Sequence, residues 1–306
     1  MKQMAIIAAS LIVAVSCSKS EGTYASSKKI DCIRTETTGW YTSTNEDTDT
    51  PQRIDYVEPT FTQEEWQWEK RKLTAINLYD RDGSNLGKVS FTYSGGNLTI
   101  KENRSAGLKT VFAYNGDRLN SIKWYMDGRL YSSSEVEHDG KKIGAIKTTI
   151  YRMDKCGEWL VLAPYAEHLS KKGAMLPAGK QEKDALYREN LHLTWTGDNI
   201  TEVASEDQDG NQLCLWQFTY DTKKNPLCNF WTKQELGAFV LPLFGSKNNV
   251  TSAKMTSERN NDTALEYTYS YVYDGNYPSK QTRTDRNTPN SRYQREETIT
   301  TEYIYK

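Results

Sequence analysis

The chain has 306 residues, and its 39 Lys and Arg against 40 Asp and Glu leave a net charge of −1. That balance supplies no basic face for nucleic acid and no surplus of positive charge for an anionic membrane. Mean hydropathy is low at −0.77, yet aromatic residues make up 11% of the chain, too many for a wholly disordered polymer. The apolar content sits in rings, which suits sheets with one packed and one wet face.

In chain order, the first element is the apolar stretch from Met4 to Val15, which follows Met1-Lys2 and ends in Ala14-Val15-Ser16-Cys17. Its twelve residues at about 1.5 Å each reach about 18 Å, short of a hydrocarbon core of about 30 Å. The Ala-Val-Ser-Cys ending resembles the lipobox of bacterial lipoproteins. The resemblance implies that residues 1–16 are a signal peptide and that Cys17 carries lipid as the mature N-terminus. It further implies a protein held at the cell outer membrane, on its surface or its periplasmic face.

From Ser18 to Gln52, 13 of 35 residues are Ser or Thr and aliphatics are few. Such text cannot bury enough surface to offset its ordering entropy, so residues 17–59 are expected to be a flexible tether. Trp40-Tyr41 and Ile30-Asp31-Cys32-Ile33 are its apolar exceptions.

Residues 60–306 form one β domain built on an internal repeat. Trp66-Gln67-Trp68, Phe91-Thr92-Tyr93, Phe112-Ala113-Tyr114, Val136-Glu137-His138, Leu193-Thr194-Trp195, Phe218-Thr219-Tyr220 and Tyr271-Val272-Tyr273 share an apolar-x-aromatic frame. Glycine follows in most copies, as tight hairpins require, and an aliphatic stands five residues after the aromatic at Leu73, Leu98, Leu119, Ile143 and Ile200. Leu73 and Ile76 are three apart while strands have period two, so a bulge or the turn must lie between them. The expected fold is all-β: an antiparallel meander of hairpin repeats rolled into an open sheet or barrel, with about fourteen to eighteen strands. Two short, partly helical insertions interrupt the spacing, at about residues 157–190 and 228–260.

These hairpin units resemble degenerate YD repeats of RHS proteins. Together with the lipobox, Tyr220-Asp221 to Asn225-Pro226-Leu227 and Ser246 to Thr251 resemble a family of Bacteroides-type lipoproteins with a porin-like β fold. The resemblance covers residues 60–306, implies a fold and implies no activity. It does not imply a pore: Ser279-Lys280-Gln281-Thr282-Arg283-Thr284-Asp285 lacks the lipid-facing apolar row of a membrane strand.

Chemistry is sparse. Asp80-x-Asp82-Gly83 and Asp207-x-Asp209-Gly210 begin like calcium loops but lack the closing glutamate, and the recurrence of Asp-Gly at Asp127-Gly128 makes them hairpin turns. His138 occupies the slot of Tyr93, Tyr114, Trp195 and Tyr220, a packing position. No catalytic motif, metal site or cofactor fingerprint is found, so no enzyme is expected. Asp262-Thr263-Ala264 resembles a short O-glycosylation site of Bacteroides-type envelopes. The four cysteines after Cys17 (Cys32, Cys156, Cys214, Cys228) allow three full pairings, and spacing does not choose among them. Tyr269, Tyr271 and Tyr273 share one strand face, as do Trp216 and Tyr220, and stacked rings suit the apolar faces of sugars. The expectation is a non-enzymatic, envelope-anchored binding lipoprotein that presents this aromatic sheet to a glycan. The alternative is a structural or assembly partner of another envelope protein.

Overall fold

The computed structural model describes residues 21, 24, 28–45, 48–151, 187–230, 237–257, 263–287 and 295–306. Sixteen antiparallel strands follow one another around a closed barrel, each paired with its sequence neighbour and the last with the first. They are β1 (Ile30–Asn45), β2 (Thr48–Glu69), β3 (Lys72–Tyr79), β4 (Asn85–Ser94), β5 (Asn97–Asn103), β6 (Leu108–Asn115), β7 (Arg118–Met126) and β8 (Arg129–Asp139). The second half comprises β9 (Lys142–Ile150), β10 (Tyr187–Thr196), β11 (Asn199–Asp207), β12 (Gln212–Lys224), β13 (Asn248–Ser257), β14 (Thr263–Asp274), β15 (Tyr277–Asn287) and β16 (Arg295–Tyr305). The only helix among the described residues is α1 (Val240–Gly245), between β12 and β13. The expected meander is what the chain forms, and it closes.

The repeat has a mechanical cause. In every unit the ladder shifts at the aromatic residue: at Trp68, Tyr93, Tyr114, His138, Trp195, Tyr220 and Tyr273. Trp68 faces Leu73 and Gln67 faces Ala75, which leaves Thr74 as the extra residue of a bulge. The hydroxyl of Thr74 donates to the Gln67 carbonyl at 2.9 Å, and Thr99 and Ser279 repeat this bond at 3.1 and 3.2 Å to Thr92 and Val272. The bulge is what lets Leu73 and Ile76, three apart, both point inward; their exposures are 0% and 3%.

Polar tips bind neighbouring hairpins in the same way. Trp68 donates to the Ile30 carbonyl, Tyr93 to Leu73, Trp195 to Ile143, Tyr220 to Ile200 and Tyr305 to Pro278. Each aromatic thus fills the interior with its ring and satisfies a carbonyl of the preceding strand.

The alternation sorts the two faces. On β4, Phe91 is buried while Lys88, Ser90 and Thr92 are exposed; on β14, Tyr269 is buried while Thr268, Ser270 and Val272 are exposed. Glu135, Glu137 and Lys147 continue the polar exterior on β8 and β9. A barrel embedded in lipid carries an apolar band there, and a Lys or Arg at its mid-height costs about 2–4 kcal/mol, an acid less.

Two boundaries move. The tether expected over residues 17–59 contains β1 and most of β2. Residues 17–59 are poor in aliphatics, but this wall is lined by polar groups that satisfy one another. Thr35 and Thr37 are each 8% exposed, Thr35 bonds Gln63 at 2.8 Å, and Tyr56 bonds Glu297 at 2.6 Å. Gly39 is required there, because a Cβ would lie 2.7 Å from the Glu296 backbone carbonyl oxygen, which cannot swing aside as the Tyr56 hydroxyl at 2.8 Å could. The insertion placed at 228–260 ends earlier, since Asn248–Ser257 is β13. Most of the 157–190 insertion lies outside the described residues, and its last residues belong to β10.

Candidate functional site

The strand order gives the barrel two unlike ends. One, the tether end, gathers the two-residue turns after β2, β4, β6, β8, β10 and β14, the N-terminal segment and residue 306; the other, the mouth, gathers the described connections after β3, β5, β7 and β11.

Closure turns the candidate aromatics inward. Trp216 is 2% exposed and Tyr269 is 7% exposed. Trp216 stacks on Phe218 and Tyr267 at 6.1 and 6.0 Å and is covered by Phe239 at 5.0 Å. The hydroxyls of Tyr220, Tyr271 and Tyr273 are committed to the Ile200 carbonyl, the Val250 carbonyl (2.7 Å) and the Asp221 carboxylate. Burial pushes all four tyrosine hydroxyls (Tyr220, Tyr269, Tyr271, Tyr273) well above their ordinary range, and at Tyr273 the bond to Asp221 adds to the effect. Alternation tells which rings share a face; it does not tell which face stays wet.

The residues that sequence reasoning passed over lie beside them. Ser279–Asp285 lacks a lipid-facing apolar row, and its inward side chains are Gln281, Arg283 and Asp285, cross-strand from Tyr271, Tyr269 and Tyr267. Arg283 grips Asp285 with two bonds at 2.7 and 2.8 Å and lies 5.6 Å from the Tyr267 ring. The Asp285 side chain is 8% exposed and that of Arg283 is 29% exposed. Burial alone would lower the Arg283 pKa, but the Asp285 charge and hydrogen bond raise it above its usual value. Tyr303 donates to Gln281 at 2.7 Å. Next to Arg283, the Tyr269 hydroxyl is buried and has no hydrogen-bond partner among the described residues, and the same holds for the Trp124 indole N–H and the Tyr114 hydroxyl. Orphaned buried polar groups are rare and call for an explanation. The alternation of Gln281, Arg283 and Asp285 was the available signal.

The tether end is built differently. The Glu21 carboxylate meets His138 Nε2 at 3.0 and 3.1 Å and accepts the Leu119 N–H at 2.7 Å, while its own N–H donates to the Asp117 carbonyl at 3.0 Å. His138 therefore departs from the repeat's aromatic for a reason: it receives the N-terminal segment. Tyr24 wedges in next, stacked on Phe230 at 4.3 Å, with its hydroxyl on the Pro226 carbonyl at 2.7 Å. Between Glu21 and the β12–β13 insertion lies a cleft of about 300 Å³ lined by Lys142, Trp195, Asp198, Cys228 and Lys247. Lysines lie over the rings of this rim: Lys28 over Tyr305 at 4.5 Å, Lys72 over Tyr93 at 5.6 Å, Lys142 over Trp195 at 5.0 Å and Lys224 over Tyr277 at 5.7 Å. Cys17 itself lies outside the described residues, as does Cys156. Cys214 is buried on β12, and it does not form a disulfide with Cys228.

The Asp-Gly turns are occupied with their own backbone. Asp82 accepts the Ser84 N–H at 2.8 Å, and Asp207 accepts those of Asp209 and Asn211, each at 2.9 Å. Among the described residues no group of three or more His, Cys, Asp or Glu is placed to hold a metal, and no helix is long and apolar enough to cross a membrane.

No protein-family profile and no curated protein matches this chain. Among solved structures, a porin-like protein from Bacteroides uniformis ATCC 8492 is similar, with a TM-score of 0.48 and 10% identity over 92% of this chain and 100% of that one.

Proposed function

We propose that this chain is a lipid-anchored outer-membrane lipoprotein whose barrel stands outside the bilayer and serves as a non-enzymatic binding module, with a glycan as ligand. The observation that carries the reading is the division of polarity. Outward rows such as Lys88, Ser90 and Thr92 suit water, while the inner wall holds Arg283 beside the unpartnered Tyr269 hydroxyl. Tyr269 and Arg283 replace the exposed aromatic sheet as the expected contacts, because the guanidinium and phenol offer donors and Tyr267 a ring face. Glycan-array binding by the full-length protein should fall at least about ten-fold in Arg283→Ala and Tyr269→Phe, the loss of roughly one hydrogen bond in each, charge-assisted at Arg283. Binding unchanged in both variants would refute the site. Lipidation is checked separately: a Cys17→Ala protein that still takes up a palmitate analogue in cells overturns the anchor.

One observation favours the alternative of an assembly partner. β1 and β2 run beyond their neighbours, and among the described residues Gln52–Gln63 pairs only with β1, leaving an open strand edge with Ile54 40% and Val57 71% exposed. An envelope protein could add a strand there. Recovery of a single envelope protein by pull-down, lost in Val57→Pro, would support it.

A further inference from the structure

We infer that the tether end is the membrane-facing base of the barrel, with its lysine-ringed turns resting on anionic lipid headgroups and the mouth directed away; this rests on reading Cys17 as lipidated. The first support is reach. Glu21 is clamped by His138 and the Leu119 and Asp117 backbone, and Cys17 is four residues away. Whatever path the chain takes between them, it spans at most about 14 Å. Acyl chains on Cys17 therefore enter the bilayer beside this end and no other.

The second support is charge. The net charge of −1 conceals an axial separation. The tether end carries Lys28 and Lys29 before β1, Lys70 and Arg71 between β2 and β3, Lys72 at the start of β3, and Arg118 at the start of β7. Further round the rim stand Lys141, Lys142, Lys223, Lys224, Lys247 and Lys306. The acids at the same end, Asp31, Glu69, Asp117, Asp139, Asp198, Asp274 and the clamped Glu21, are fewer, and Asp31, Asp198 and Asp274 are paired with Lys306, Lys247 and Lys28. At the mouth the described turns reverse the balance, with Asp80, Asp82, Asp127, Asp207 and Asp209 against Arg81, Arg104 and Arg129. The ammonium groups of Lys142, Lys72 and Lys224 lie over the rings of Trp195, Tyr93 and Tyr277, which keeps them at the rim where headgroup phosphates would meet them. Composition missed this surface because summing over the chain cancels opposite ends.

Amine footprinting tests the orientation. The lipidated full-length protein is incorporated into phosphatidylcholine vesicles with and without phosphatidylglycerol, floated, and labelled with a water-soluble amine reagent before mass spectrometry. On anionic vesicles, Lys70, Lys72, Lys141 and Lys247 should label about five-fold less than in detergent, and Lys88 and Lys109, on the barrel side and near the mouth, should not change. Salt at about 1 M should restore labelling, because the Debye length falls to about 3 Å. His138→Phe, which returns an aromatic to that slot and releases Glu21, should weaken the protection. Flotation with Lys70 and Lys141 as reactive as in detergent overturns the inference alone. Failure to float on either vesicle overturns the lipid anchor and the inference with it.

Discussion

Glu189 shows what one residue costs inside a barrel. It points inward from β10 at 8% exposure, its carboxyl held by the Ser205 hydroxyl at 2.6 Å. Burial raises its pKa above 4.5, and the Ser205 bond offsets this only in part. The unfolded chain therefore gives up this proton first. The contribution is most favourable below about pH 4.5 and is lost as pH rises through the higher folded value. Glu189→Gln should raise stability at neutral pH by about 1–3 kcal/mol and flatten that decline, as urea denaturation at several pH values will report. Nothing in the sequence marks Glu189, since its exposure depends on closure. His138 was partly legible: its departure from the aromatic slot was visible, but its partner, Glu21, lies 117 residues away.

At the level of the element, the repeat was legible because it is local. A bulge, a turn and a ring tip bonded to the preceding strand lie within one or two hairpins, so the spacing of Leu73 and Ile76 sufficed to require the bulge seen at Thr74. β1 was illegible because its stability comes from distant partners: Thr35 and Thr37 lie opposite Thr301 and Ile299, and no window of adjacent residues contains both sides. The ring-tip bonds can be tested by comparison. Tyr220→Phe removes bonds to the Ile200 carbonyl and Ser246 and should cost about 1–2 kcal/mol. Tyr114→Phe removes a buried hydroxyl that has no partner among the described residues and should be neutral or stabilising. Equal losses in chemical denaturation would contradict the assignment.

For the whole molecule, a sheet of sixteen strands encloses more space than its own side chains fill, and the β12–β13 insertion supplies part of the difference. Phe230, 1% exposed, touches Tyr24, Trp66 and Phe91 at 4.3, 5.6 and 6.0 Å. Phe230→Ala should lower stability by about 3–5 kcal/mol and speed proteolysis near Tyr24, because the same ring seats the N-terminal segment. The site was less legible than the fold for a single reason: pairing rules reveal which rings align, while inside and outside are decided only when the ring of strands shuts.

That shutting has an order in time. Every strand pairs with a neighbour made just before it except at the seam, where Ile33 meets Tyr303. Bringing ends so far apart together costs about 5 kcal/mol of chain entropy, against much less for each hairpin. As the polypeptide emerges, hairpins can zip one by one, but β1 waits with a bare edge until the final residues arrive, and β16 is bare until it finds β1. A chain stopped short of β16 would keep both edges open for good, a template for joining other chains. The last eleven residues of the barrel, Arg295–Tyr305, thus act as the clasp of a necklace: they hold no more than any other link, but without them the string never becomes a ring.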